Sequence, residues 1–82
     1  MQIHNIKLKA QYCTAVLNGL KTFEIRYDDR GYKPQDIIHF IPVDEEGNEV
    51  EHDIKNAEFV ITYLLVNTGL EDGFVAFSIK RI

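Results

Sequence analysis

Three charged residues that follow a glycine have the types and spacing to bind or act on an anionic ligand. A β-strand beginning at residue 22 would place Thr22, Glu24 and Arg26 on one face, with Lys21 just before it. Arg26 offers a planar fork for a phosphate or a base edge, and Lys21 offers a compact cation. Glu24 could accept hydrogen bonds from an amino group of a base, or it could orient the two cations. The segment therefore predicts a recognition surface or a catalytic surface.

The alternate residues of the same segment are apolar. Phe23, Ile25 and Tyr27 would share the opposite face of the strand, so we expect that face to be buried and the charged face to be displayed. A plainer interpretation is that Glu24 and Arg26 form a surface ion pair, worth at most about 1 kcal/mol. In both interpretations the charged side chains face the solvent.

The net charge of −4 is unevenly distributed along the chain. Residues 44–53 hold six of the 13 acidic residues and no Lys or Arg, which leaves seven acids against nine bases elsewhere. A small anion site depends on the local field more than on net charge, so the acidity of the chain does not exclude one. We interpret the acidic segment as a solubilising hairpin, and a protein-interaction module built on it is the less favoured alternative.

The length and composition indicate one small domain. Eighty-two residues suffice for a single compact core. The apolar run Phe59–Val66 is too short to cross a bilayer, and no secretory signal is visible, so we expect a cytoplasmic protein with no membrane partner. The only cysteine, Cys13, allows no internal disulfide. His4, His39 and His52 are scattered, and we expect neither a metal site nor a cofactor.

The periodicity of the chain predicts short strands and one early helix. Residues 11–18 carry an apolar stripe at helical spacing, and Gly19 suits the left-handed position that ends helices. The predicted strands lie near residues 3–9, 22–27, 36–41, 49–54, 59–66 and 74–79. We therefore expect a mainly β, α+β fold: a small barrel of five to six strands, closed or nearly closed, with one or two helices. The N-terminal helix would cover one end.

The motif Gly19-x-Lys21-Thr22-x-Glu24-x-Arg26, which follows a short amphipathic helix, resembles the opening motif of the ASCH (activating signal cointegrator homology) domains. Those domains are small β-barrels related to the PUA fold of RNA-modifying enzymes. The segments 32–38 and 69–81 resemble later strands of the family, although Gln35 stands where a glycine is usual. The resemblance covers nearly the whole chain, which is identified as a single ASCH/PUA-like domain over residues 1–82, similar to a short bacterial and phage-borne branch.

The resemblance implies a cleft between helix and barrel, lined by Lys21, Glu24 and Arg26, and a ligand that is RNA or nucleotide-like. Relatives include nucleic-acid binders, a ribonuclease and a hydrolase of N4-acetylcytidine that uses a lysine, a threonine and a distant glutamate. Lys21 matches that lysine, but Glu24 holds the position of the threonine. The resemblance therefore favours a binding module. The alternative is an enzyme acting on a modified nucleoside or RNA, amidohydrolase- or ribonuclease-like, with Lys21 and Glu24 as candidate catalytic groups.

Further candidates lie in the loop after the second predicted strand. Arg30 and Lys33 would contact phosphates, and Tyr32 between them could stack on a base. The complete predicted set of ligand-binding residues is Lys21, Thr22, Glu24, Arg26, Arg30, Tyr32 and Lys33. We expect Cys13 to be a buried helix residue, and His39 to be hydrogen-bonded and partly buried.

Overall fold

Five strands and two short helices follow one another in the computed structural model, which describes residues 1–82. The strands are β1 (Ile3–Lys9), β2 (Phe23–Tyr27), β3 (Ile37–Val43), β4 (Phe59–Val66) and β5 (Phe74–Arg81), and the helices are α1 (Ala10–Leu17) and a 3-10 helix (Asp53–Asn56). They form one sheet in the order β1-β3-β4-β5-β2, in which β1 and β3 are parallel and all other pairs are antiparallel. The sheet curls into a half-barrel, so the predicted small, mainly β, α+β fold is confirmed.

Alternate side chains of the strands point into the half-barrel and form its core. Ile6 of β1 and Phe40 of β3 are in register and both buried, as are Ile61 of β4 and Ile79 of β5. In β4 only the first half is buried, because its second half extends beyond β3 and pairs with β5 alone. The core therefore lies under β1, β3, β5 and the start of β4.

Helix α1 follows β1 directly and ends at a left-handed glycine. Cys13 and Val16 are buried in the core, as the helical stripe predicted. Gly19 has a φ of +77° and donates its N–H to the carbonyl oxygen of Val16 at 3.1 Å, while Lys21 donates its N–H to Ala15 at 3.0 Å. This turn fixes the point at which Lys21 leaves the helix for β2. With eight residues, α1 is far shorter than a membrane-spanning helix, and the chain has no other α-helix.

The acidic segment differs from the predicted polar strand near residues 49–54. A single bridge joins Val43 to Glu49, and Asp53–Asn56 forms a 3-10 helix instead. Ile54 is completely buried in the core, whereas the neighbouring acidic side chains are exposed to solvent. One buried side chain anchors a turn of helix, whereas a strand would need a continuous apolar face. The sheet therefore has five strands.

A buried polar cluster joins the start of β1 to the start of β3. The carboxylate of Asp36 lies 2.8 Å from Nε2 of His4 and accepts the backbone N–H groups of Gln2 at 3.0 Å and Lys33 at 3.1 Å. Burial raises the pKa of Asp36, but these three hydrogen bonds outweigh it and hold the pKa below its ordinary value. The ring of Tyr32 packs 4.8 Å from that of His4 and is 3% exposed. Tyr32 is therefore a core residue, and the prediction that it stacks on a base is corrected.

Candidate functional site

In strand β2, the charged face that the sequence predicted to be displayed points toward the interior. Glu24 is only 3% exposed, whereas Phe23, Ile25 and Tyr27 are each more than half exposed. The register explains the reversal, because Glu24 lies opposite Phe77, a core residue of β5, and paired residues point to the same side of a sheet. The expectation of a displayed charged face and a buried apolar face is therefore wrong, and Tyr27 is a surface residue.

Buried Glu24 holds the two cations of the motif. Lys21 donates from Nζ to Oε2 of Glu24, and also to the carbonyl oxygen of Phe23 at 2.8 Å. Arg26 donates to Oε1 of Glu24 from Nε at 3.0 Å and from Nη2 at 2.7 Å. Both carboxylate oxygens are thus paired, as burial of a charge requires. Glu24 orients Lys21 and Arg26, and a simple surface ion pair is excluded because the carboxylate is buried.

Two arginines close the gap between the edge strands of the sheet. Arg26 donates from Nη2 to the carbonyl oxygen of Lys7 at 2.6 Å, and Arg30 donates from Nη1 to that of Asn5 at 3.2 Å. Both acceptors belong to β1, whose outer edge has no strand partner. Side chains from β2 and the following loop therefore replace the backbone ladder that would complete a barrel. We call this gap between β1 and β2 the seam.

A cavity of about 360 Å³ opens at the seam, beside α1. It is lined by Lys7, Leu8, Lys9, Tyr12, Lys21, Phe23, Glu24, Ile25 and Arg26. The lining includes four cations and a single carboxylate, which gives the cavity a positive field in an acidic chain. Lys7 and Lys9 form no ion pair within the chain, so their ammonium groups are free to contact a ligand. We call this cavity the cleft; its volume is that of a small-molecule site.

Two aromatic rings flank Lys21 in the cleft. Nζ of Lys21 lies 4.9 Å from the ring centroid of Phe23 and 5.6 Å from that of Tyr12. Both side chains are partly exposed, Tyr12 to 41% and Phe23 to 52%. The sequence does not mark either ring as a site residue, because Tyr12 fits the apolar stripe of the helix and Phe23 fits the apolar face of a strand. The spacing of nine residues from Tyr12 to Lys21 across the helix end gave no signal of their contact.

The remaining predicted site residues lie apart from the cleft lining. Thr22 borders a second depression, which shares Lys21 with the cleft and is also lined by Lys80 and Arg81. Arg30 continues the basic seam beyond the cleft through its contact with Asn5, whereas Lys33 is exposed and lies outside the lining. The structure therefore brings Lys21, Glu24 and Arg26 together, with Arg30 further along the same seam.

The fold and the cleft define a class of small domain, an α+β half-barrel with a basic cleft at its seam. A family described as Domain of unknown function (DUF3850) matches residues 3–79, and the chain belongs to that family. The crystal structure of hypothetical protein PH0355 is similar over 100% of both chains, with a TM-score of 0.64 and 16% sequence identity. At that identity the likeness shows the fold alone. No protein of curated function matches the sequence.

Proposed function

We propose that this domain binds RNA or a nucleotide-like ligand in the cleft. The observation that carries the proposal is the ratio of charges: four cations line the cavity, and its one carboxylate is buried and already bound to two of them. A phosphate entering the cleft would meet cations without displacing a competing surface anion. The ASCH-like character of the domain belongs to the same proposal, since the motif that supports it supplies Lys21, Glu24 and Arg26.

The two sides of the cleft would contact different parts of the ligand. Lys7 and Lys9 on β1 supply unpaired ammonium groups for phosphate oxygens. Lys21 and Arg26 are held in place by Glu24, so they are preorganised and lose little side-chain freedom when a ligand binds. The ring of Tyr12 offers a surface on which a base can stack, worth about 1–3 kcal/mol per base. A nucleotide therefore fits with its phosphate over the lysines and its base against α1.

Titration of a fluorescently labelled single-stranded RNA of about eight nucleotides, followed by anisotropy, tests the proposal. We expect the affinity to fall as salt is added. Lys7→Ala should weaken binding about three- to tenfold without changing stability, because the side chain of Lys7 forms no ion pair and the variant keeps the backbone carbonyl that Arg26 contacts. Lys21→Ala and Arg26→Ala should weaken binding at least as much.

Lys33→Ala is the matched control, since it removes an exposed lysine that lies outside the cleft. Its affinity should equal that of the wild type. A DNA oligonucleotide of the same sequence shows whether the ribose contributes to the affinity. A mononucleotide competitor shows whether a single nucleotide is enough for binding. Undiminished binding by both Lys21→Ala and Arg26→Ala would overturn the assignment of the site.

Direct contact between Lys21 and Glu24 favours a second candidate function, an enzyme acting on a modified nucleoside or RNA. Lys21 is partly withdrawn from solvent and bonded to the carboxylate, which is the arrangement that an acid/base or electrostatic role needs. Thr22, the nearest hydroxyl in sequence, borders another depression. Assays of acylated nucleosides and short RNAs test this function, with Glu24→Gln as the inactive variant. No turnover by the wild-type protein would contradict it.

We also propose a cytoplasmic location. Cys13 is the only cysteine, and its thiol is buried in the core, donating toward the carbonyl oxygens of Leu8 and Lys9. A buried thiol with no partner suits a reducing compartment. Fluorescence microscopy of the tagged protein tests this location, and accumulation outside the cytoplasm would contradict it.

A further inference from the structure

The outer face of the sheet carries an apolar surface that nothing in the chain covers. Three neighbouring strands contribute to it, with β5 in the middle. On one side of β5, Phe23, Ile25 and Tyr27 of β2 lie opposite Ser78, Ala76 and Phe74. On the other side, Tyr63 and Leu65 of β4 lie opposite Ser78 and Ala76. Five of these side chains are between 39% and 69% exposed, namely Phe23, Ile25, Tyr27, Tyr63 and Leu65. We call this surface, including Phe74 and Ala76, the outer face. Contiguous apolar surfaces of this kind mark interaction sites.

The outer face has a basic end and an acidic end. Lys80 continues β5 on the same side as Ala76, at the end of the sheet where β2 begins. At the opposite end Glu71 borders a depression of about 280 Å³ together with Ile25 and Phe74. The exposed carboxylate of Asp72 lies in the same loop as Glu71, whereas Asp29, in the loop after β2, is paired with Arg30 at 3.7 Å. Because the acidic end would repel phosphates, the outer face does not suit a nucleic-acid strand.

We infer that the outer face binds a second copy of this chain in a two-fold, face-to-face dimer. The two-fold axis would lie between the two sheets and parallel to them, perpendicular to the strands, and it would pass over Ala76. This rotation places the basic end of one copy against the acidic end of the other. Phe23 then meets Tyr27 of the second copy, and Lys80 approaches Glu71 of the second copy. The surface is complementary to itself under this one operation, as an isologous interface requires. Antiparallel alignment of the two sheets is compatible with ordinary sheet packing.

The size of the outer face predicts a weak dimer. Three of the five are aromatic side chains of the kind that can bury about 150–250 Å² each, and at their partial exposure the five together offer roughly 500 Å² per copy. This area is smaller than the roughly 800 Å² per partner of a standard interface. We therefore expect a dissociation constant on the order of 10–100 μM. Since β2 lies over β2 of the second copy, and Phe23 and Ile25 also line the cleft, both clefts would open beside the interface on the same side of the dimer.

Sedimentation equilibrium across the expected range of concentrations tests the inference. The wild type should change from the 9.5 kDa chain mass at low concentration toward twice that mass at high concentration. Tyr63→Ser, which removes the most exposed ring of the outer face and leaves the cleft intact, should raise the dissociation constant about tenfold. Lys55→Ala removes an exposed side chain from the 3-10 helix, which packs against β3 and α1 away from the outer face, and should leave the dissociation constant unchanged.

A charge exchange tests the orientation of the two copies. Lys80→Glu and Glu71→Lys should each weaken the dimer, because each places like charges together across the interface. The double variant should restore the wild-type dissociation constant. Circular dichroism of every variant confirms that it is folded. A wild-type protein that stays at 9.5 kDa throughout overturns the inference and leaves the outer face to a different partner. A dimer that Tyr63→Ser does not weaken overturns it equally.

Discussion

Nη2 of Arg26 lies 2.6 Å from the carbonyl oxygen of Lys7, so a side chain of one edge strand occupies the backbone edge of the other. The same nitrogen lies 2.7 Å from Oε1 of Glu24. A single guanidinium therefore closes the seam, satisfies a buried carboxylate and lines the cleft. Stability and ligand binding are coupled through Arg26, because a ligand that draws the guanidinium away must replace both contacts.

Arg26→Lys separates the charge of this residue from its geometry. Lysine keeps the positive charge but cannot bond Glu24 and the Lys7 carbonyl with a planar fork. We expect the free energy of unfolding to fall by about 1–2 kcal/mol, measured by urea denaturation. Arg81→Lys, at an exposed position without an ion pair, should change it by less than about 0.5 kcal/mol. Equal stability of the Arg26→Lys variant and the wild type would show that the seam contact does not stabilise the fold.

Glu24→Gln tests whether the buried carboxylate holds the cleft together. The amide removes the negative charge that compensates Lys21 and Arg26, so we expect a loss of about 2–3 kcal/mol in the free energy of unfolding. Glu58→Gln removes a carboxylate from an exposed pair with His39 and should cost less than about 1 kcal/mol. Similar losses in the two variants would contradict the structural role given to Glu24.

The sequence predicted the elements of this fold better than the orientation of its edge strand. β1 and β4 have the predicted bounds, and α1 and β5 are within two residues of them, because apolar periodicity and Gly19 mark them clearly. β2 carries two faces with competing signals, one apolar and one charged. Its register with β5 turns Glu24 inward, and this choice depends on contacts distant in sequence.

The candidate site was predictable only in part, for the same reason. The grouping of Lys21, Glu24 and Arg26 could be predicted from their spacing, because the three residues are neighbours in the chain. Lys7 and Tyr12 are absent from the predicted set of ligand-binding residues, since only the seam and the helix end bring them to the cleft. Tyr32 lies between two basic residues in sequence, yet its ring packs on Phe77 in the core.

Gly73→Ala tests a close approach between the loop before β5 and a ring of the outer face. Gly73 has a φ of +84°, and a Cβ there would lie 2.5 Å from the ring of Tyr27. Gly47 has a φ of +85° with nothing within 4 Å, so Gly47→Ala isolates the backbone penalty, about 1 kcal/mol. We expect Gly73→Ala to cost about 1 kcal/mol more, because Tyr27 must leave its edge-to-face contact with Phe74. Equal losses of unfolding free energy would show that the ring moves without cost.

Acid should destabilise the protein partly through Asp36. Its pKa in the folded state lies below the ordinary value of 3.8, because hydrogen bonds from His4, Gln2 and Lys33 outweigh the effect of burial. The unfolded chain therefore binds a proton more readily than the folded one, and the stability due to Asp36 is complete above about pH 5. It is lost as the pH falls through the lowered pKa.

Asp36→Asn should remove this dependence. The variant should be less stable than the wild type at neutral pH, and the difference should shrink as the pH falls from about 5 to about 2. Asp29→Asn, which changes an exposed carboxylate near Arg30, should change the free energy of unfolding by less than about 1 kcal/mol. Urea denaturation at a series of pH values measures both. A difference between Asp36→Asn and the wild type that does not change with pH would show that the Asp36 carboxylate stabilises the cluster through packing, since a charge effect must follow its titration.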